Sequence, residues 1–139
     1  MINMKRILAF ALISMVLTVS GCISGSNIRF KECDLDYDTI NEDQMSQLWI
    51  EIENKGEVRK EVQVVFVYPK KLAVEKNGKA SNGFNVTVEP NGATSGRMAF
   101  DVYGEYIEGQ PSSPWDLEVR MFSGNELIDE KELTLTVTP

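Results

Sequence analysis

From residue 28 onward the apolar positions recur with a period of two. Leu48, Ile50 and Ile52 alternate with Trp49, Glu51 and Glu53, and Phe84, Val86 and Val88 alternate with Asn85 and Thr87. Three more sets follow the same rule: Met98, Phe100 and Val102; Trp115, Leu117, Val119 and Met121; and Leu133, Leu135 and Val137. Successive side chains of an extended chain point to opposite faces, so each set predicts a strand with one buried face. The stretch Val62 to Tyr68 is apolar at Val62, Val64, Val65, Phe66 and Val67. It predicts either a central strand covered on both faces or one that presents an apolar face to solvent. In the first strand, Ile28 to Asp36, the apolar parity switches between Phe30 and Cys33, which predicts a bulge at Lys31 or Glu32.

Turn chemistry separates the runs: Asn54-Lys55-Gly56, Asn77-Gly78, Asn82-Gly83, Pro90-Asn91-Gly92 and Ser123-Gly124-Asn125. No amphipathic helical window competes with the strand pattern after residue 28. About seven short strands spaced by such turns predict an all-β chain, a single antiparallel Ig-like β-sandwich over 28–139. The Cys, Trp, Cys spacing of antibody domains is absent, and there is no internal repeat or second domain.

The N-terminal segment has a different pattern. Lys5 and Arg6 precede an apolar run from Ile7 to Val19, broken only by Ser14 and Thr18, and Ser20-Gly21-Cys22 follows. This is the order of a secretory signal. The run is shorter than the roughly 20 residues that span a bilayer, which disfavours a permanent transmembrane helix. The quartet Val19-Ser20-Gly21-Cys22 resembles a prokaryotic lipobox, which implies cleavage after Gly21 and a thioether-linked lipid on Cys22. Small side chains fit a peptidase cleft, and the thiol is the strong nucleophile available to take the lipid. The competing reading is ordinary signal cleavage, leaving Cys22 and Cys33 free to pair in an oxidising compartment. The expected organisation is a cleavable signal helix over 1–21, a lipidated Cys22 with a flexible tether over 22–27, and the sandwich over 28–139.

Composition narrows the function. Of 139 residues, 14 are Lys or Arg and 21 are Asp or Glu, a net charge of −7. Removal of residues 1–21 takes two bases and no acid, which moves the net to −9. Such a balance opposes a nucleic-acid partner, whose phosphates need clustered cations. There is no histidine, so histidine-activated nucleophiles, blue-copper sites and most catalytic zinc sites are excluded. Cys33 has no histidine to activate it. No enzymatic activity is expected.

The order Ile50-Glu51-Ile52-Glu53-Asn54-Lys55-Gly56, a valine-rich strand, Val88-Glu89-Pro90-Asn91-Gly92 and then Met98-Ala99-Phe100-Asp101-Val102 resembles the Ig-like modules of prokaryotic envelope proteins, including CARDB-type and FxLYD-type domains. The resemblance spans about residues 46 to 137 and rests on turn motifs, where Asn and Gly accept positive φ and Pro pre-sets the turn. It implies a β-sandwich outside the cell that acts in adhesion, as a scaffold or as an accessory module.

Several side chains are candidates for chemistry. Asp34, Asp36, Asp38 and Glu42 form an acidic cluster of the kind that ligates Ca2+, which takes 6–8 oxygens. It departs from an EF-hand loop at Thr39, where Gly belongs, and at Met45, where the bidentate Glu belongs. The alternative is a solvated strand end whose charges discourage edge pairing. Asn85-Val86-Thr87 is a glycosylation sequon, with Asn85 expected to face solvent opposite Phe84, Val86 and Val88. Trp49, lying opposite the buried face of its strand, is expected to form an apolar interface patch with Val65, Val67 and Tyr103. The segment Gly104 to Pro114, carrying Tyr106, is longer than a hairpin turn and is the expected place of partner contact. The overall expectation is an extracytoplasmic lipoprotein that binds another envelope protein or a surface polymer. A metal- or small-ligand-binding accessory protein using the Asp34 to Asp43 cluster is the alternative.

Overall fold

A computed structural model describes residues 27–139; the expected signal helix over 1–21, and Cys22 with the expected tether up to residue 26, lie outside the described residues. The chain forms β1 (Ile28–Leu35), β2 (Thr39–Asn41), β3 (Ser46–Asn54), β4 (Lys60–Val67), β5 (Leu72–Lys76), β6 (Lys79–Ala80), β7 (Gly83–Val88), β8 (Ala93–Thr94), β9 (Met98–Gly104), β10 (Ser113–Ser123) and β11 (Glu126–Thr138). No helix occurs among the described residues. One sheet has the order β1-β3-β9-β5-β6, with β8 also on β3, and the other the order β2-β11-β10-β4-β7.

The strand orders identify the architecture. Lettered along the chain, β1-β3-β9-β5 is the A-B-E-D sheet and β11-β10-β4 the G-F-C sheet of an Ig-like sandwich. β7 adds a strand outside β4. All pairings are antiparallel except β2 on β11, where Thr39, Ile40 and Asn41 run parallel to Thr136, Val137 and Thr138. The chain therefore crosses between sheets after β1, leaving one edge strand in each.

All seven expected strands are present as β1, β3, β4, β7, β9, β10 and β11, and the bulge of β1 falls between Phe30 and Glu32 as its parity switch requires. In β3 every second residue is buried, and Leu48, Ile50 and Ile52 are wholly inaccessible. They meet Val62, Val64, Leu117, Val119, Met121 and Leu135 from the facing sheet. Each such side chain contributes about 2 kcal/mol by leaving water. β4 resolves its two readings: Val62, Val64 and Phe66 point inward, Val65 is half-buried and Val67 is exposed, so its outer face meets solvent. Phe66, Phe84 and Phe100 close one flank of the core, Phe66 edge-on to both and Phe84 stacked on Phe100 at 5.5 Å. Gly83 lets the chain pass from β6 into β7 at φ 140°; a Cβ there would lie 2.0 Å from the Val64 carbonyl oxygen.

Candidate functional site

Ile28 pairs with Asn54, and Ser46 pairs with Val102, so the sandwich has one end beside the expected tether, the tether end, and a far end. At the tether end the Asn27 carbonyl accepts the Lys55 N–H at 2.8 Å. Asn54, buried, organises the turn beside it: its side-chain amide donates to the Val58 and Val88 carbonyls, and its oxygen accepts the Gly56 N–H at 2.9 Å. Beside this turn lies an open cleft of about 460 Å3 whose lining includes Asn27, Val58, Lys60 and Glu126.

The far end holds the long loop after β9. Gly104 lies so close to the core that a Cβ would meet Val137 Cγ2 at 2.6 Å. The loop is tied down from within. Trp115 Nε1 donates to the Glu105 carbonyl at 2.7 Å, the Ile107 N–H to Ser113 Oγ at 2.8 Å, and the Tyr106 hydroxyl to the Gln110 carbonyl. Tyr106 packs partly against the core while Ile107 is exposed, so the loop offers a small apolar tip.

The four acidic candidates are directed elsewhere than to one another. Asp34 Oδ1 lies 3.8 Å from Lys131 Nζ, Asp38 Oδ1 accepts the Thr39 hydroxyl, and Glu42 Oε2 accepts the Tyr106 N–H at 3.4 Å. Asp36 lies near Arg97, whose guanidinium is held protonated chiefly by the Glu32 hydrogen bond and only to the least extent by Asp36. No group of three or more acidic or cysteine side chains is arranged to hold a metal among the described residues.

The expected apolar patch divides in two. Trp49 and Tyr103 lie on the outer face of the β3 and β9 sheet, while Val65 and Val67 lie on the outer face of the β4 sheet, on the opposite side of the sandwich. Trp49 is also roofed over. The Arg97 guanidinium sits 4.1 Å from its ring centroid, and Glu32 holds Arg97 through two bonds of 2.7 and 3.0 Å. The Arg97 bond pulls the Glu32 carboxyl below its usual pKa and Glu32 raises that of Arg97.

Asn85 is exposed on β7, on the face away from the core. Cys33 is free and buried. One feature escapes the strand pattern altogether: a slot of about 360 Å3 between the sheets where β7 faces β5, β6 and β9. Its lining joins Phe84 and Val86 to Met98 and Phe100, with Lys76 and Lys79 beside them. The two lysines flank an Asn77-Gly78 turn, a visible local signal, but their nearness to Phe84 depends on how the sheets stack.

No known protein family matches this sequence, and no characterised protein is significantly similar to it. Solved structures resemble its fold. The chain matches a Pseudomonas fluorescens alkylpurine DNA glycosylase, AlkC, at TM-score 0.50 and 10% identity over 86% of its length, spanning about a third (32%) of the glycosylase. A CARDB domain from Pyrococcus furiosus, solved in complex with di-metal ions, matches at TM-score 0.48 and 12% identity, with 80% of this chain and 90% of that domain covered. A PapD-like domain of human CEP192 matches at TM-score 0.44 and 11% identity over 96% of both. At these identities the likeness is one of fold.

Proposed function

We propose that the chain is a membrane-anchored, extracytoplasmic Ig-like binding module, held by lipid on Cys22, whose partner is another envelope protein or a surface polymer. One observation carries the reading: Val19-Ser20-Gly21-Cys22 closes a basic-then-apolar leader and stands five residues ahead of Asn27, the residue before β1. A leader, a lipidation sequence and a sandwich in that order support a reading in which the folded domain is held at a membrane surface. The sandwich supplies rigid strands and loops for contact, and the lack of histidine disfavours histidine-based catalysis.

The test is a comparison of the chain with its Cys22→Ser variant in a prokaryotic host. The wild-type chain is expected to partition with membranes, and mass spectrometry of its N-terminal peptide to show Cys22 carrying a diacylglyceryl group. The variant is expected in the soluble extracytoplasmic fraction. An unmodified Cys22 in the mature chain, or a variant that stays in membranes, overturns the proposal.

A further inference from the structure

The edges of the two sheets are unequally defended. β1 is bulged and carries Arg29, Lys31, Glu32 and Asp34, and its Phe30 N–H is occupied by Asp129 Oδ2 at 2.8 Å. β2 is three residues long, and β6 is two residues long with Lys79 on it. Short, charged or covered edges resist pairing with other chains. β7 has none of these defences: it runs six residues, Gly-Phe-Asn-Val-Thr-Val, without a charge. Among the described residues it pairs only with β4.

The open ladder on β7 can be read residue by residue. The Phe66 N–H donates to the Asn82 carbonyl at 2.9 Å, so the antiparallel alternation turns the backbone groups of Phe84, Val86 and Val88 toward β4. The N–H and C=O of Asn85 and Thr87 then face the open side. Gly83, on the same side, has both groups engaged by Ser81 Oγ at 3.3 Å. The slot of about 360 Å3 lies directly beside this ladder, with Phe84, Val86, Met98 and Phe100 as its apolar lining. Lys76 Nζ reaches the Ala99 carbonyl at 2.8 Å and lies 5.2 Å from the Phe100 ring centroid. Neither Lys76 nor Lys79 has an ion-pair partner among the described residues.

We propose that the β7 edge takes up an extended segment of a partner protein as an added strand, one apolar side chain entering the slot and a neighbouring acidic side chain meeting Lys76 and Lys79. The backbone groups of Asn85 and Thr87 supply the ladder, and the slot selects side chains on one face of the incoming strand. Charge chooses the occupant. A second copy of β7 brings no carboxylate to the two lysines. An acidic and apolar peptide answers both features. The inference names a contact edge for the proposed binding module, and it does not involve Cys22, so the two stand or fall separately.

The test uses the full chain in detergent and a fluorescein-labelled eight-residue peptide. The peptide has threonine at every second position and phenylalanine and aspartate sharing the other face. Fluorescence anisotropy is expected to show saturable binding. N-methylation of alternate peptide amides, lysine in place of aspartate, and the double change Lys76→Glu with Lys79→Glu are each expected to weaken it by about tenfold or more. Thr87→Pro is expected to do the same; its N–H faces the open side, so proline removes no bond to β4. Should that variant fail to fold, the N-methylated peptide tests the same ladder on the unaltered protein. Absence of saturable binding, or equal binding of the N-methylated peptide, overturns the proposal. So does a concentration-dependent dimer that Thr87→Pro abolishes, which would assign the edge to a second copy.

Discussion

Cys33 shows how burial sets the chemistry of a single side chain. It lies under β1 at 4% exposure, and burial first, then the Asp34 carboxylate, pushes its thiol up to about 12. The thiolate is the nucleophile, so a thiol held protonated at neutral pH is inert. In a Cys22→Ser background, a thiol reagent at pH 8 should leave the folded protein unlabelled and label it fully in denaturant; rapid labelling without denaturant would contradict the burial. Titration links the same residue to stability. The unfolded thiol ionises near its ordinary value of 9.0 and the folded one near 12, so the buried neutral form supports folding below about pH 9. That support is lost as pH rises from 9 toward 12, and the denaturation midpoint should fall across that window, less steeply in a Cys33→Ala variant.

Edge protection belongs to the scale of the strand. Asp129 and Lys131 of β11 stand opposite Met121 and Val119, positions whose side chains point inward, yet Asp129 reaches sideways to the Phe30 N–H and Lys131 to Asp34. Charges aimed from one sheet at the edge of the other keep a further strand from adding to β1. Asp129→Ala should cost about 1 kcal/mol and speed amide exchange at Phe30 while leaving the Leu135 amide protected. Uniform loss of protection would mean that the contact serves general stability. The bulge behind this arrangement was legible in the parity of Phe30 and Cys33. The buried face of β3 was legible as well, because alternation states which side chains share a face. It does not state which sheet a strand joins, and for that reason Trp49 and Val65 read as neighbours although they lie on opposite sides. β5 went unread because its apolar pair, Leu72 and Val74, is too short a pattern beside Pro69 and two lysines. The slot between the sheets was illegible for a related reason: its residues come from four strands brought together only by stacking.

At the scale of the molecule, charge is distributed along the long axis. The far-end connections hold Asp36, Asp38, Glu42, Asp43, Glu105 and Glu108, with Lys70 and Lys71 as their only bases. Asn27 lies at the other end, against Lys55. With the proposed anchor at Cys22, this polarity turns the acidic loops away from an anionic membrane surface and toward whatever lies beyond it.

The parallel pairing of β2 with β11 has a mechanical consequence. β1 and β2 run in the same direction as β11, from the tether end to the far end. Traction between residue 28 and residue 138 therefore slides β2 and β11 past each other lengthwise. Their bonds, including the Thr136 N–H to the Asp38 carbonyl at 2.7 Å and the Glu42 N–H to the Thr138 carbonyl at 3.1 Å, bear the load together instead of parting in turn. Three residues of β2 thus act as a clasp. Single-molecule stretching between those two positions should give one sharp rupture, at a force lowered by Thr136→Pro, which deletes a bond of the clasp. An unchanged rupture force in that variant would place the resistance elsewhere.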